Sequence, residues 1–363
     1  MKVLFALPGL HRVHRGAEVA IETIASELAR IPGFDVTLIG SGQPSAQDPY
    51  DFITSGCVPR ERFERYPKFP PMRTEYIYEE LTFAPGLARK LASRKFDVTL
   101  TCSFPFTNLT LRGLGRKMGG AKHVYITQNG EWPAYFRKRE YRLFGCDGLV
   151  VTCPEYLERN SDRWNCTLIP NGVDVERFNP GDGDRATFGL PLDGPLVLMV
   201  SALVPTKGVI EGMHACAAIP GVAFVVAGDG LLRDEVDRTG HELFGDRYRR
   251  ISVTHGEMPH LYRCADVFLH MSTEESFGNV YLEALAAGLP VVAHDRDLTR
   301  WVIGDQGWLV DTSRPEATSA AIGDALRSGE SASSNVRAVT EEFTWPHIAR
   351  RYAAFLTSVV GGP

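Results

Sequence analysis

The chain has 363 residues, 44% of them hydrophobic and 23% charged, with a net charge of −5 at pH 7. That length carries two domains with full cores, and the balance is that of an ordinary soluble globular protein. No apolar run approaches the ~20 residues that a membrane-spanning helix needs, so a transmembrane segment is excluded, and no nucleic-acid partner is expected.

The opening Met1–Leu7 is short and meets His11, Arg12, His14 and Arg15, which fits a first β-strand better than a leader peptide. Seven cysteines, an odd number without any C-x-x-C pair, argue for reduced thiols and a cytoplasmic setting. Charge is uneven. Residues 1–170 hold 23 Lys and Arg against 18 Asp and Glu, whereas residues 171–363 hold 16 against 26. A basic first half suits an anionic acceptor or a peripheral place at a membrane surface, and a merely solvated face is the alternative.

In chain order, the first predicted strand is Val3–Leu7, followed by a helix over 17–29 with Ala20, Ile21, Ile24 and Leu28 on one face. A strand at Val36–Ile39 completes a βαβ unit with Gly16 at the helix mouth. The G-x-G-x-x-G of a dinucleotide site is absent, which removes a nicotinamide oxidoreductase from consideration. Residues 41–75 show weak periodicity and are predicted to be an irregular loop. Its Arg60, Arg62, Arg65, Lys68 and Arg73, mixed with Glu61 and Glu64, suit a solvated loop or an anionic acceptor.

Strands follow at Phe96–Cys102, His123–Gln128 and Gly148–Thr152. Pro170 and Gly172 at the exit of an apolar run mark a domain boundary. Domains are therefore expected over 1–170, joined by about 345–363, and over 171–344. The second domain's strands are predicted at Leu196–Val200, Ala223–Ala227, Ile251–Val253, Val267–Leu269, Val291–Ala293 and Trp308–Val310. Two successive runs of βα units make an α/β protein with two doubly wound sheets. Asp182-Gly183-Asp184 and Asp295-Arg296-Asp297 have the look of metal-binding D-x-D pairs, but so short and common a spacing reads as turn chemistry.

The most informative stretch runs from His270 to His294. A loop leaves the strand ending at Leu269 and enters a helix over about 279–287, the place where open parallel sheets bind ligands. Glu275 lies in the loop and Glu283 on the helix. The helix's first N–H groups suit a diphosphate, and Gly278 lets an oxygen approach the backbone. A carboxylate there repels phosphate and suits hydroxyls instead. Two carboxylates beside such amides describe a sugar nucleotide. The plainer reading makes Glu275 a helix cap and Glu283 a solvated surface charge.

Taken together, E-x7-E followed by A-L-A-A-G-L-P-V-V-A resembles the donor-site signature of the family 4-type retaining glycosyltransferases of the GT-B fold, over about twenty-five positions. The resemblance implies two Rossmann-like domains facing across a cleft, with a C-terminal helix that crosses back to the N-terminal, acceptor-side domain. It places Glu275 against the donor sugar and Glu283 on the ribose. The amides from Gly278 through Asn279 to Val280 then meet the diphosphate, and Phe277 belongs with the donor-binding residues.

Other segments carry the resemblance further. Arg15-Gly16-Ala17-Glu18 is similar to the family's G-G-A-E loop, where Gly16 would let the donor approach the main chain. Arg15 replaces the first glycine and either adds positive charge there or faces solvent. Asn129 stands where many members place a histidine near the reacting centre. An amide cannot relay a proton. The proton would then leave through the donor's own phosphate or another group, with Glu131, His11 and His14 as candidates. Ile169-Pro170-Asn171-Gly172-Val173-Asp174 resembles the family's hinge. In the segment from Val200 to Gly208, Ser201 and Ala202 replace a glycine and an arginine, and Lys207 remains as the diphosphate clamp. Losing that arginine weakens donor binding, or Arg15 compensates. Ala227-Gly228-Asp229-Gly230 resembles a structural turn, and the loop ending in Met258 resembles the one that reads the base. Ile348, Tyr352, Phe355 and Leu356 outline the last helix.

The implied activity is retaining transfer of a hexose-type sugar from a nucleoside-diphosphate sugar to a hydroxyl acceptor, in building a surface polysaccharide, a glycolipid or a glycosylated metabolite. No cofactor and no metal are expected. A sugar-nucleotide-binding protein with little transfer, motivated by Asn129 and Ala202, is the alternative. So is an enzyme of shared architecture, a sugar-nucleotide epimerase or a glycogen-type phosphorylase. The epimerases usually lack the E-x7-E element, and the phosphorylases are much longer and carry a cofactor lysine.

Overall fold

The computed structural model describes residues 1–70, 72–130, 132–134, 142–328 and 342–362. It divides into two compact units, Met1–Asn171 with Trp345–Pro363, and Gly172–Thr344.

The first unit contains β1 (Lys2–Ala6), α1 (Gly16–Ala29), β2 (Asp35–Gly40), β3 (Asp51–Thr54), α2 (Glu75–Leu91), β4 (Val98–Thr101), α3 (Phe106–Leu114), β5 (Lys122–Ile126), β6 (Gly148–Val151), α4 (Pro154–Asn160) and β7 (Cys166–Leu168). Its seven strands are all parallel, in the order β3-β2-β1-β4-β5-β6-β7. Side chains alternate along a strand, and both faces of this sheet are covered, so β1 reads as one apolar run. Val3, Phe5 and Leu7 join Ile21, Ile24 and Leu28 of α1 on one face. Leu4 and Ala6 join Phe83, Leu87 and Leu91 of α2 on the other.

The second unit contains β8 (Leu196–Val200), α5 (Val209–Ala217), β9 (Ala223–Ala227), α6 (Arg233–Phe244), β10 (Tyr248–Ile251), α7 (Met258–Arg263), β11 (Val267–His270), α8 (Asn279–Ala286), β12 (Val291–His294), α9 (Asp297–Ile303), β13 (Gly307–Val310) and α10 (Pro315–Ser328). Its six parallel strands run β10-β9-β8-β11-β12-β13. The chain then returns to the first unit as α11 (Trp345–Gly361), whose Ile348, Tyr352 and Leu356 are buried in the same core as α1.

Two expectations need correction. Residues 41–75 are not wholly irregular, because β3 forms within them as an edge strand. At four residues, with an acidic start, it has too little apolar pattern to be seen. The strand predicted at Ile251–Val253 lies earlier, at Tyr248–Ile251. Arg249 and Arg250 interrupt its apolar run, and an edge strand tolerates them because only one side is paired.

In each sheet the chain starts at a central strand, winds outward to one edge, and then returns to the other side of that strand. The reversal falls between β1 and β4 in the first unit and between β8 and β11 in the second. The loops at the carboxyl ends of those strand pairs flank a crevice, the usual ligand position in such sheets.

Candidate functional site: two carboxylates beside the β8 and β11 loops

The loop after β11 is shaped by what anchors it. Phe277 is buried, 6.4 Å from both Trp301 and Phe343 between ring centroids. Its ring is taken up in packing, and only its main chain is left to meet a ligand. Gly278 has φ +80°, and a Cβ there would lie 2.6 Å from the Tyr281 ring, so conformation and packing both require glycine. Gly278 is the N-cap of α8 and has no side chain with which to cap it. The Asn279 and Val280 amides sit in its first turn, where backbone N–H groups lack intrahelical partners. Arg296 Nη1 donates to the carbonyls of Thr273 (3.4 Å) and Glu275 (3.3 Å), fastening the loop to the start of α9.

Glu275 Oε1 accepts hydrogen bonds from Lys207 Nζ and, at 2.9 Å, from His270 Nε2. Burial works to raise the Glu275 pKa, but the His270 hydrogen bond and charge, with the Lys207 ammonium, overcome it and hold the carboxyl down to about 2. Glu275 is therefore an anion at neutral pH. Among the described residues, its Oε2 takes no hydrogen bond. Glu283 is half-buried on α8, and its Oε2 accepts from Tyr262 Oη at 2.8 Å. Burial raises its pKa, with the Tyr262 hydrogen bond and the Arg177 charge pulling the other way. Each carboxylate thus has one oxygen tied down from behind.

Lys207 reaches Glu275 from the next loop of the crevice. It ends a 3-10 turn, Pro205–Lys207, after β8, and Gly208 follows with φ +61°. A Cβ on Gly208 would lie 2.9 Å from that of Met271, so the two loops meet there. Ser201 and exposed Ala202 begin the same loop, with Ser201 Oγ donating to the Ala202 carbonyl at 3.2 Å. Met258 is the first residue of α7. The loop before it is braced by Glu257, which accepts from the Thr254 N–H (2.8 Å) and hydroxyl (2.6 Å). Arg177 Nη2 adds a bond to the His255 carbonyl at 2.9 Å.

Other candidates belong to the first unit. Gly16 opens α1, and a Cβ there would meet nothing within 4 Å. Arg15 does not simply face solvent. Its guanidinium pairs with Glu61 (2.8 Å), Glu18 (3.6 Å) and Glu79 (4.0 Å). Exposed Asn129 donates from Nδ2 to Cys102 Sγ at 3.7 Å. His11 is a structural residue, stacked on Phe52 at 4.0 Å and bonded to the Gln43 carbonyl (2.8 Å) and Tyr50 Oη (2.9 Å). His14 is exposed, and Glu131 lies outside the described residues. Of the two D-x-D sequences, the first precedes a turn, and the second joins β12 to α9. Asp184 accepts from the Thr187 hydroxyl at 2.6 Å, and Asp295 pairs with Arg300 at 2.7 Å.

His270, Tyr262 and Arg296 carry this geometry without having stood out as candidates in the sequence. For His270 a signal exists: a polar residue closes the buried run Val267-Phe268-Leu269 just before the loop. Tyr262 has none, because Leu261-Tyr262 reads as ordinary core.

The family model "Glycosyltransferase Family 4" matches residues 14–177, and "Glycosyl transferases group 1" matches residues 182–341. A D-inositol 3-phosphate glycosyltransferase of Mycobacterium bovis is 38% identical over 320 residues, covering 81% of this chain and 63% of that protein. The chain spans less than two thirds of the length of the curated relatives it matches first. Among solved structures, sucrose-phosphate synthase from Thermosynechococcus elongatus superposes with a TM-score of 0.77 at 20% identity, covering 97% of each chain. Anabaena HepE, in complex with UDP and glucose, superposes with a TM-score of 0.75 at 18% identity, covering 98% of this chain and 99% of that one. Among the described residues no helix is long and apolar enough to cross a membrane. Two parallel Rossmann-like sheets, the paired family models and these neighbours lead to one conclusion: the chain belongs to the family 4-type glycosyltransferases of the GT-B fold.

Proposed function

We propose that this protein transfers a hexose-type sugar from a nucleoside-diphosphate sugar to a hydroxyl acceptor, with retention at the anomeric carbon and without a bound metal. The observation that supports this most directly is the pair of anchored carboxylates, Glu275 held by His270 and Lys207, and Glu283 held by Tyr262. In this reading Glu275 Oε2 receives a sugar hydroxyl and its charge steadies the electron-poor anomeric centre. Glu283 receives the ribose.

Charge developing on the leaving diphosphate is met by Lys207 and by the amides at the mouth of α8. These are donors already in place before reaction, which is where such stabilisation is most effective. With an amide at Asn129, the acceptor proton leaves through the donor diphosphate. Retention and same-face attack rest on family membership. The inositol phosphate glycosyltransferases among the relatives make a phosphorylated polyol the first acceptor to try, ahead of polysaccharide or lipid acceptors and a place at the membrane surface.

The test screens UDP-, GDP-, ADP- and TDP-sugars by thermal shift and then follows nucleoside diphosphate release, with and without inositol phosphates. Release that Glu275→Gln abolishes, with a glycosylated product of retained configuration, supports the reading; a panel in which no sugar nucleotide binds overturns it. A second reading, donor binding with little transfer, draws on Asn129 and Ala202. Tight donor binding without release in the presence of any acceptor would favour it.

A further inference from the structure

His270, the last residue of β11, is 2% exposed. Its ring lies nearly parallel to Phe268 (11°, 6.2 Å between centroids) and edge-on to Tyr281 (84°, 5.0 Å), a slot that fixes its rotation. Nε2 lies 2.9 Å from Glu275 Oε1. An ionised carboxylate only accepts, so Nε2 carries the hydrogen. Among the described residues, nothing hydrogen-bonds Nδ1. A buried polar atom left so is unfavourable, and leucine or phenylalanine would fill the slot without it. What an apolar side chain does not supply is the Nε2–H.

Lys207 also holds Glu275, but through a flexible stem and a rotatable ammonium, and it is the group a diphosphate would draw away. Once it turns, His270 is the anchor that stays.

We propose that His270 is a positioning residue for Glu275, holding one carboxylate oxygen so that the other is presented to the donor sugar. The inference rests on the assignment of Glu275 to that sugar. It makes the effect of His270 specific to the sugar half of the donor, because the diphosphate is held by other groups.

The experiment compares the full chain with His270→Leu, His270→Gln and Glu275→Gln. The probes are UDP-, GDP-, ADP- and TDP-glucose, carrying forward the tightest binder and its nucleoside diphosphate. His270→Leu is expected to weaken sugar-nucleotide binding by about tenfold, the loss of one hydrogen bond to a charged group, with nucleoside diphosphate affinity unchanged. His270→Gln reaches Glu275 with an amide N–H and restores most of the difference. Should His270→Leu fail to fold, His270→Asn, whose amide stops short of the carboxylate, replaces it in the comparison with His270→Gln.

Equal loss for both probes, or a glutamine variant no better than leucine, overturns the proposal. If Glu275→Gln abolishes sugar discrimination while His270→Leu leaves it intact, this inference fails alone. If neither substitution matters, the assignment of Glu275 fails with it.

Discussion

Lys207 and Glu275, 68 residues apart in the chain, form an ion pair beside the carboxyl ends of two adjacent strands, β8 and β11. The pair joins the groups proposed for two adjoining parts of the donor, the diphosphate and the sugar. On the proposed reading, a diphosphate entering the site would compete with Glu275 for the ammonium, which couples the two side chains before any chemistry begins.

That coupling predicts opposite effects from its two halves. Lys207→Ala is expected to weaken every nucleoside diphosphate by roughly 10- to 100-fold, the loss of a charge-assisted contact of about 1.5–3 kcal/mol. Glu275→Gln frees the lysine, so nucleoside diphosphate affinity stays level or rises while sugar release is lost. Calorimetric titration of both variants with UDP and GDP checks this. Unchanged affinity in Lys207→Ala would remove the clamp assignment.

Glu283, proposed to receive the ribose, offers a milder case. Tyr262→Phe removes the 2.8 Å hydrogen bond to Glu283 and nothing else of the ring. Affinity for the matching nucleoside diphosphate should fall about three- to tenfold, in line with a neutral donor's typical ~0.5–1.5 kcal/mol. The same titration with free inorganic pyrophosphate should show no change, which separates ribose from phosphate.

Gly278 ties fold to site. With φ +80° and the Tyr281 ring 2.6 Å from a would-be Cβ, Gly278→Ala must strain the backbone or displace Tyr281. Destabilisation of about 1–3 kcal/mol is expected, read as a lower denaturation midpoint. Gly16→Ala provides the contrast: its surroundings are open, so stability should hardly change. A drop in donor affinity there would mark Gly16 as a ligand-approach position.

A buried acid in the first unit gives a pH dependence of defined sign. Glu80 of α2 is fully buried, and its Oε2 accepts the Thr107 N–H at 3.0 Å near the start of α3. Burial pushes its pKa up to about 8, against the opposing pull of the Thr107 and Tyr76 hydrogen bonds. The folded chain therefore holds a proton that the unfolded chain loses near pH 4.3. Stability attributable to this group falls as pH rises from about 4 towards 8, by up to about 1.4 kcal/mol per pH unit. Glu80→Gln should gain on the parent chain steadily across that window, measured as the difference in melting temperature. A difference that does not change with pH would contradict the placement. Glu275 behaves oppositely: its contribution is present above the unfolded pKa and is lost only as pH falls through about 2.

Much of this protein was legible because parallel strands covered on both faces must be apolar throughout, and runs such as Val3–Leu7 and Val267–Leu269 therefore stand out. The E-x7-E element was legible for a related reason: loop, Gly278 and helix are contiguous, so their chemistry is written in one stretch. Edge strands escaped, β3 entirely and β10 by three residues, because one-sided pairing relaxes the demand for apolar side chains. Where the Phe277 ring packs was not legible from its neighbours in the chain. Trp301 and Phe343, which claim its ring, come from distant segments.

By itself, then, the sequence determined the alternation of strands and helices, the two successive doubly wound sheets and the pair of acidic residues at a helix mouth, since each follows from local periodicity and spacing. Only tertiary structure decided which donors hold those acids: Lys207 for one oxygen of Glu275, His270 beside it, and Tyr262 behind Glu283. The physical reason is strand order. Placing β8 next to β11 brings remote loops into one crevice, and no pattern confined to neighbouring residues encodes which side chains will meet there.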